Sequence, residues 1–231
     1  MLLTDLSAHV GNDVALPGEL CQEFEESTYH LCEGFLIHLQ RELCFGSFLP
    51  DACELRVFFG RDSHSIRYSC VRNVASVWLS EIAIREFLEA DDAKRESWFL
   101  EHLHEGVVLA AKAQCVSVVA IDRAYRRAQA EGCLLRVIDS GLSRRHPSRR
   151  LMFNVVRSLQ REGESWSLEV DDCAGHTVAK FPLIDDTLYP RAHAVLRSSK
   201  WNGDTFVLAD EDGKISFQRS SSRLPVRYAR A

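Results

Sequence analysis

FLEHLHEGVVLAAKAQCVSVVAIDRAYRRAQAEG, residues 99–132, decides how this chain reads. Phe99, Leu100, Leu103, Val107, Ala110 and Ala111 recur at three- and four-residue intervals, while Glu101, Glu105 and Lys112 fall off that stripe. One helical face is therefore apolar and the other solvated. Ser117 then reads as the N-cap of a second helix, with Ile121, Ala124, Tyr125 and Ala128 as its inner face and Gly132 as its stop. Helical spacing extends back to Ala83, and strand-like sequence lies on either side. Segregated runs of strands and helices, in place of a repeating βαβ order, predict an α+β fold in which antiparallel strands from the N- and C-terminal halves pack against the central helices and an N-terminal helix.

Upstream, Leu20, Phe24, Leu31, Phe35 and Leu39 keep helical spacing after Pro17 and Gly18, which predicts a helix ending near Leu43, with Gly34 inside it as a weak point or a close packing contact. Leu55, Val57 and Phe59 alternate, residues 60–63 read as a turn, and Ile66, Tyr68 and Cys70 read as the returning strand of a hairpin. Residues 74–79 suit a third, more central strand. Downstream, strands are expected at 134–138, 151–159, 166–170, 177–181, 205–209 and 214–218, the last two joined by a turn at 210–213 where Gly213 adopts positive φ. Residues 188–201 read equally as helix or strand. The expected organisation is a single domain, 1–231, with loosely ordered ends at 1–16 and 220–231.

The composition, 46% hydrophobic and 26% charged, is that of an ordinary globular protein. Residues 1–16 lack a basic segment followed by a long apolar run, and no apolar stretch is long enough to span a bilayer, so a cytoplasmic location without membrane contact is expected. The eight cysteines include no CxxC pair and read as reduced small hydrophobes, with no metal or other cofactor expected. A net charge of −5 argues against broad nucleic-acid binding. Its distribution is uneven: acids crowd the helical segments, arginines crowd 144–161 and the C-terminal end.

His102, His104 and Glu105 are the densest cluster of acid/base groups. Residues two apart on a helix point about 200° apart, so the two imidazoles cannot share one metal. His104 and Glu105 remain as weak catalytic candidates against a structural reading. Asp212-Gly213-Lys214, Asp171-Asp172 and Asp185-Asp186 are most simply turn and strand-end residues. GxSxG, the phosphate loop and GxGxxG are absent. Arg144, Arg145, His146, Arg149 and Arg150 form the sharpest charge feature, a loop suited to an acidic partner, with Glu101 and Glu105 as an acidic counterpart.

No family's motifs align with this chain residue by residue. In general layout, on size, acidity and poverty of motifs, it resembles small bacterial cytosolic proteins that bind and neutralise a toxin. The resemblance implies a non-enzymatic protein-binding function, as immunity or inhibitor proteins have, exerted through Arg144, Arg145, Arg149, Arg150, Glu101 and Glu105. The alternative is a hydrolase or nucleotide-processing enzyme built on His104 and Glu105 or on a Cys/His pair distant in sequence.

Overall fold

The computed structural model describes residues 3–11, 14, 16–43, 49–60, 68–79, 84–161, 163–184, 196–210 and 212–223. Four helices and eleven strands among these residues give the α+β class. The chain divides into two compact units, residues 1–134 and 135–231.

The first unit carries strand β1 (Asp5–Val10), helix α1 (Gly18–Glu42), strands β2 (Glu54–Phe59), β3 (Tyr68–Val71) and β4 (Val74–Leu79), and helices α2 (Ile84–Glu89), α3 (Asp92–Ala113) and α4 (Val119–Glu131). Its sheet has the order β1-β2-β4-β3. Two sequence expectations are corrected here. Residues 5–10, placed in a loosely ordered end, form a strand that runs parallel to β2 and buries Leu6 and Ala8. The second correction concerns the hairpin. β2 does not pair with Tyr68 or Cys70; it pairs in parallel with β1 and β4, and β3 pairs antiparallel with β4. The tight turn lies at Arg72 and Asn73, whose φ values of 52° and 68° place both central residues in the left-handed region that a type I′ hairpin requires. Ile66 and the turn expected at 60–63 fall largely outside the described residues.

The helices bury the face of the sheet that carries Leu55, Val57, Phe59, Ala75 and Val77, all fully buried. Phe24 of α1 is the hub: its ring lies 5.2 Å from Phe59 and 5.3 Å from Phe87, both edge-on, and 6.1 Å from Phe99. Such edge-to-face contacts match the ring quadrupoles and add to the area buried. Asp91 caps α3, its carboxylate accepting from Lys94 N at 3.0 Å. Val118 takes the N-cap position of α4, so the capping expected of Ser117 is reduced to a 3.4 Å contact with Val119 N, while Gly132 ends α4 as expected with φ 76°.

Two glycines set how closely the layers approach. A Cβ on Gly106 of α3 would sit 2.9 Å from Val57 Cγ1 and 3.4 Å from Val77 Cγ2. A Cβ on Gly34 of α1 would sit 2.7 Å from Cys133 Cα and 2.6 Å from its carbonyl oxygen. Gly34 is therefore a close packing contact. Beside it, buried His38 donates Nε2–H to the Gly132 carbonyl at 3.0 Å, and Arg127 of α4 pairs with Glu42 at 2.8 Å.

The second unit is built from β5 (Arg136–Arg145), β6 (Met152–Gln160), β7 (Gly163–Asp171) and β8 (Thr177–Ile184), an antiparallel sheet in that order, and a three-stranded antiparallel sheet of β9 (Ser198–Asn202), β10 (Thr205–Ala209) and β11 (Ile215–Ser220), ordered β11-β10-β9. Residues 198–202 thus resolve as strand. The Asp210 carboxylate accepts from Lys214 N at 2.8 Å and Gly213 has φ 77°, the expected hairpin turn. A short 3-10 turn, Ser221–Arg223, follows β11, and the rest of the expected tail lies outside the described residues.

Phe153, Val155, Leu168 and Val170 from one sheet meet Phe206 and Leu208 from the other to form the core, with Phe153 5.3 Å from Phe206. On the same face of β6 and β7, buried Arg157 donates to Glu164 at 2.6 Å, and the Trp166 indole N–H donates to the other carboxylate oxygen. Burying a charge pair this deeply carries a desolvation cost of several kcal/mol per ion, roughly offset by the mutual attraction.

Gly34→Ala and Gly106→Ala are each expected to destabilise the chain by roughly 1–3 kcal/mol despite the better helix propensity of alanine. Gly34→Ala should cost the more, because it presses on backbone and Gly106→Ala only on valine methyls. Urea unfolding followed by tryptophan fluorescence checks both the sign and the order.

Candidate functional site

The residues expected to do chemistry on α3 are separated by the helix. His102 Nδ1 lies 2.8 Å from the Trp98 carbonyl, while His104 Nε2 donates to Asp122 Oδ1 of α4 at 2.9 Å and its ring stacks on Tyr125 at 4.3 Å. His104 thus ties α3 to α4. Glu105 is exposed and turned away from that contact. Glu101, also exposed, is near enough to Tyr125 that its charge joins burial in raising the phenol above its ordinary value. No group of three or more His, Cys, Asp or Glu side chains among the described residues is arranged to hold a metal ion.

The paired acids behave as turn residues. Asp171 accepts from Asn154 at 2.6 Å and from Thr177 at 2.8 Å. Asp172 accepts from the backbone N–H of Ala174 and His176, the His176 bond being the main cause that holds its carboxyl below the usual range. Asp185 and Asp186 lie outside the described residues. Seven described cysteines are free thiols; burial raises Cys32 well above its usual value and pushes Cys133 up to about 12, whereas Cys115 and Cys173 are exposed.

The arginine-rich segment is the connection between β5 and β6, and a buried histidine organises it. His146 Nδ1 accepts from the backbone N–H of Ser148 at 3.1 Å and of Arg149 at 3.0 Å. A nitrogen that accepts twice carries no proton, so the proton sits on Nε2, which donates to Ser221 Oγ at 2.9 Å. Asp204 Oδ1 lies 3.6 Å from the same nitrogen. Serine, histidine and aspartate are thus together, but with the polarity reversed from a nucleophile–base relay: His146 gives a proton to Ser221 and cannot take one from it. Burial, the largest cause, holds His146 below its ordinary value, with Arg149 acting the same way and Asp204 opposing. Arg149 Nη1 donates to the Ser221 carbonyl at 2.8 Å, and the Trp201 indole N–H donates to the Arg145 carbonyl at 2.9 Å. Arg145 and Arg150 are exposed, Arg144 and Arg149 half-buried.

A relay with the opposite polarity stands on β1, among residues sequence reading passed over. Glu25 Oε1 of α1 lies 3.1 Å from His9 Nδ1, and His9 Nε2 lies 3.0 Å from Ser7 Oγ. The carboxylate accepts, so Nδ1 holds the proton and Nε2 is left to accept from the Ser7 hydroxyl. Ser7 and His9 alternate onto one strand face with Phe58, whose ring is 5.4 Å from His9 and stacked 5.5 Å from Trp78. A Ser-x-His pair on an alternating strand was the only sequence signal; Glu25 comes from the following helix.

The acid and base groups also segregate by unit. Residues 1–134 hold 21 acidic against 12 basic residues, and residues 135–231 hold 12 against 16. No described helix is long and apolar enough to cross a membrane.

Acidification should destabilise the 135–231 unit through His146. Its folded value lies below its unfolded one, so stability is fully present above about pH 6.5 and falls as pH drops toward the folded value, where protonation breaks the two bonds to Nδ1. Unfolding free energies measured from pH 8 to 5 should show this decline, and His146→Gln should flatten it. Comparison with protein-family models, curated protein sequences and solved structures finds no match.

Proposed function

We propose that this chain is a non-enzymatic cytosolic protein-binding protein, of the immunity or inhibitor kind, whose basic 135–231 unit engages an acidic surface on another protein. The carrying observation is a hairpin loop that presents Arg145 and Arg150 to solvent while buried His146 fixes its backbone. A preorganised loop loses little entropy on docking, and guanidinium groups suit carboxylates through paired hydrogen bonds. The opposite charge balance of the units supports the same reading, since a basic patch steers an acidic partner and repels a basic one. Arg144 and Arg149 support the loop, Arg149 through the Ser221 carbonyl. Glu101 and Glu105, exposed on α3, are the acidic counterpart, open to a basic contact.

A second reading, a serine hydrolase, is favoured by the Ser7–His9–Glu25 relay. Its order of hydrogen bonds is that of nucleophile, general base and orienting carboxylate.

Two experiments separate the readings. A partner recovered from the native cytosol should bind at least tenfold more weakly to Arg145→Glu/Arg150→Glu, with a shallower dependence on salt and an unchanged melting temperature. Equal affinity of the double variant, measured by surface plasmon resonance, ends the proposal for this loop. A fluorophosphonate probe tests the hydrolase reading: Ser7 Oγ attacks phosphorus and displaces fluoride as His9 Nε2 takes the hydroxyl proton. Mass spectrometry should then find the adduct on Ser7 and none in Ser7→Ala, whereas an unlabelled wild-type chain rejects this site.

A further inference from the structure

The face of the first sheet turned away from its helices is an array set by register. Leu6, Leu55, Val57 and Ala75 belong to the helical core, so the residues alternating with them share the opposite face. Two rows cross that face: Ser7, Arg56 and Ser76, then His9, Phe58 and Trp78. The first row is polar and the second aromatic. The rings of the second row are half-buried and follow one another across the strands, His9 5.4 Å from Phe58 at an interplanar angle of 33° and Phe58 stacked 5.5 Å from Trp78 at 12°.

We infer that the Ser7 relay acts on esters of aromatic alcohols, with the ring of the alcohol held over the row of His9, Phe58 and Trp78. The inference rests on the serine-hydrolase reading and adds the substrate class to it.

The proton path decides where the alcohol goes. Ser7 Oγ attacks the ester carbonyl carbon while its proton passes to His9 Nε2, 3.0 Å away. As the bond from that carbon to the alcohol oxygen breaks, the same proton moves from Nε2 to the departing oxygen. Water then attacks the acyl-serine and gives a proton to Nε2, and the Ser7 oxygen takes it back as it leaves. The products are a carboxylic acid and the alcohol. The departing oxygen must therefore come within hydrogen-bond reach of Nε2, which places the alcohol at the His9 end of the site. His9 is held at that end by Glu25 Oε1, 3.1 Å from Nδ1, and by the Phe58 ring beside it.

What the alcohol meets there is aromatic. Rings stacked along a row turn their edges outward, and the edge is the positive side of the ring quadrupole. The flat face of an aryl group is the negative side, so an aryl ring laid over the row meets it edge-to-face. A small alkyl alcohol has no such quadrupole and covers less of the row. The carbonyl group, by contrast, lies with Ser7 in the polar row.

Benzyl acetate and ethyl acetate, whose alcohols are of similar acidity, test the assignment on the full chain. After subtraction of spontaneous hydrolysis, kcat/KM for benzyl acetate should exceed that for ethyl acetate by about tenfold or more, mainly through KM, and Ser7→Ala should abolish both activities. Phe58→Leu and Trp78→Leu, each checked for an unchanged circular dichroism spectrum, should cut the benzyl-to-ethyl ratio severalfold. Equal kcat/KM for the two esters, with both activities lost in Ser7→Ala, overturns the aromatic assignment and leaves the relay standing. A ratio unchanged in the folded leucine variants overturns it too. So does hydrolysis of neither ester; a fluorophosphonate adduct on Ser7 then keeps the relay, and its absence removes the hydrolase reading as well.

Discussion

Backbone-to-side-chain proximity at Gly106 is the constraint on which the first unit rests. With hydrogen in place of a methyl, α3 lies so near the sheet that a Cβ on Gly106 would stand 2.9 Å from Val57 Cγ1 and 3.4 Å from Val77 Cγ2. That separation lets Phe99 reach Phe59 with ring centroids 5.6 Å apart and brings Phe24 into the same cluster. Gly34 plays the matching part where α1 meets Cys133. Interiors pack as densely as organic crystals, so a layer spacing set at two points propagates to every residue between them. The buried thiol at Cys133 belongs to this seam, which explains its high value without any reactive role.

In the second unit a single neutral imidazole does comparable organising work. His146 satisfies two loop N–H groups on one side and Ser221 on the other, so the arginine-bearing connection and the start of the C-terminal turn share one anchor. The same ring stands 4.4 Å from Trp201, edge-on. Two histidines in this chain therefore sit beside serine and carboxylate with opposite chemical consequences. At His146 the backbone fixes the proton on the nitrogen facing serine; at His9 the carboxylate fixes it on the nitrogen facing away. Proximity alone does not make a relay, because the tautomer is decided by what the second nitrogen touches.

The helices were legible because their signal is local. Leu20 to Leu39 and Phe99 to Ala111 repeat every three or four residues, and Gly132 stops α4 where a left-handed residue was expected. β1 was not legible: its buried members, Leu6 and Ala8, are few, and its partner β2 begins at Glu54. The β3–β4 turn was misread because Gly60 and Asp62 advertise a turn more loudly than Arg72 and Asn73, which nonetheless adopt positive φ. The loop at 144–150 was legible as charge and not as geometry. Nothing in its sequence says that Arg149 is spent on a carbonyl 72 residues away.

What the sequence by itself determined is therefore the α+β class, the extent of the long helices, the antiparallel character of the C-terminal strands and the uneven charge, since periodicity, turn chemistry and ionisable groups all act over a few residues. What only the tertiary structure decided is which strands neighbour which in the mixed first sheet, which histidine nitrogen carries a proton, and which arginines remain open to solvent. Each of these depends on groups brought together by chain segments far apart in sequence. Their encounter is set by packing distance and hydrogen-bond partners, quantities that no window of neighbouring residues contains.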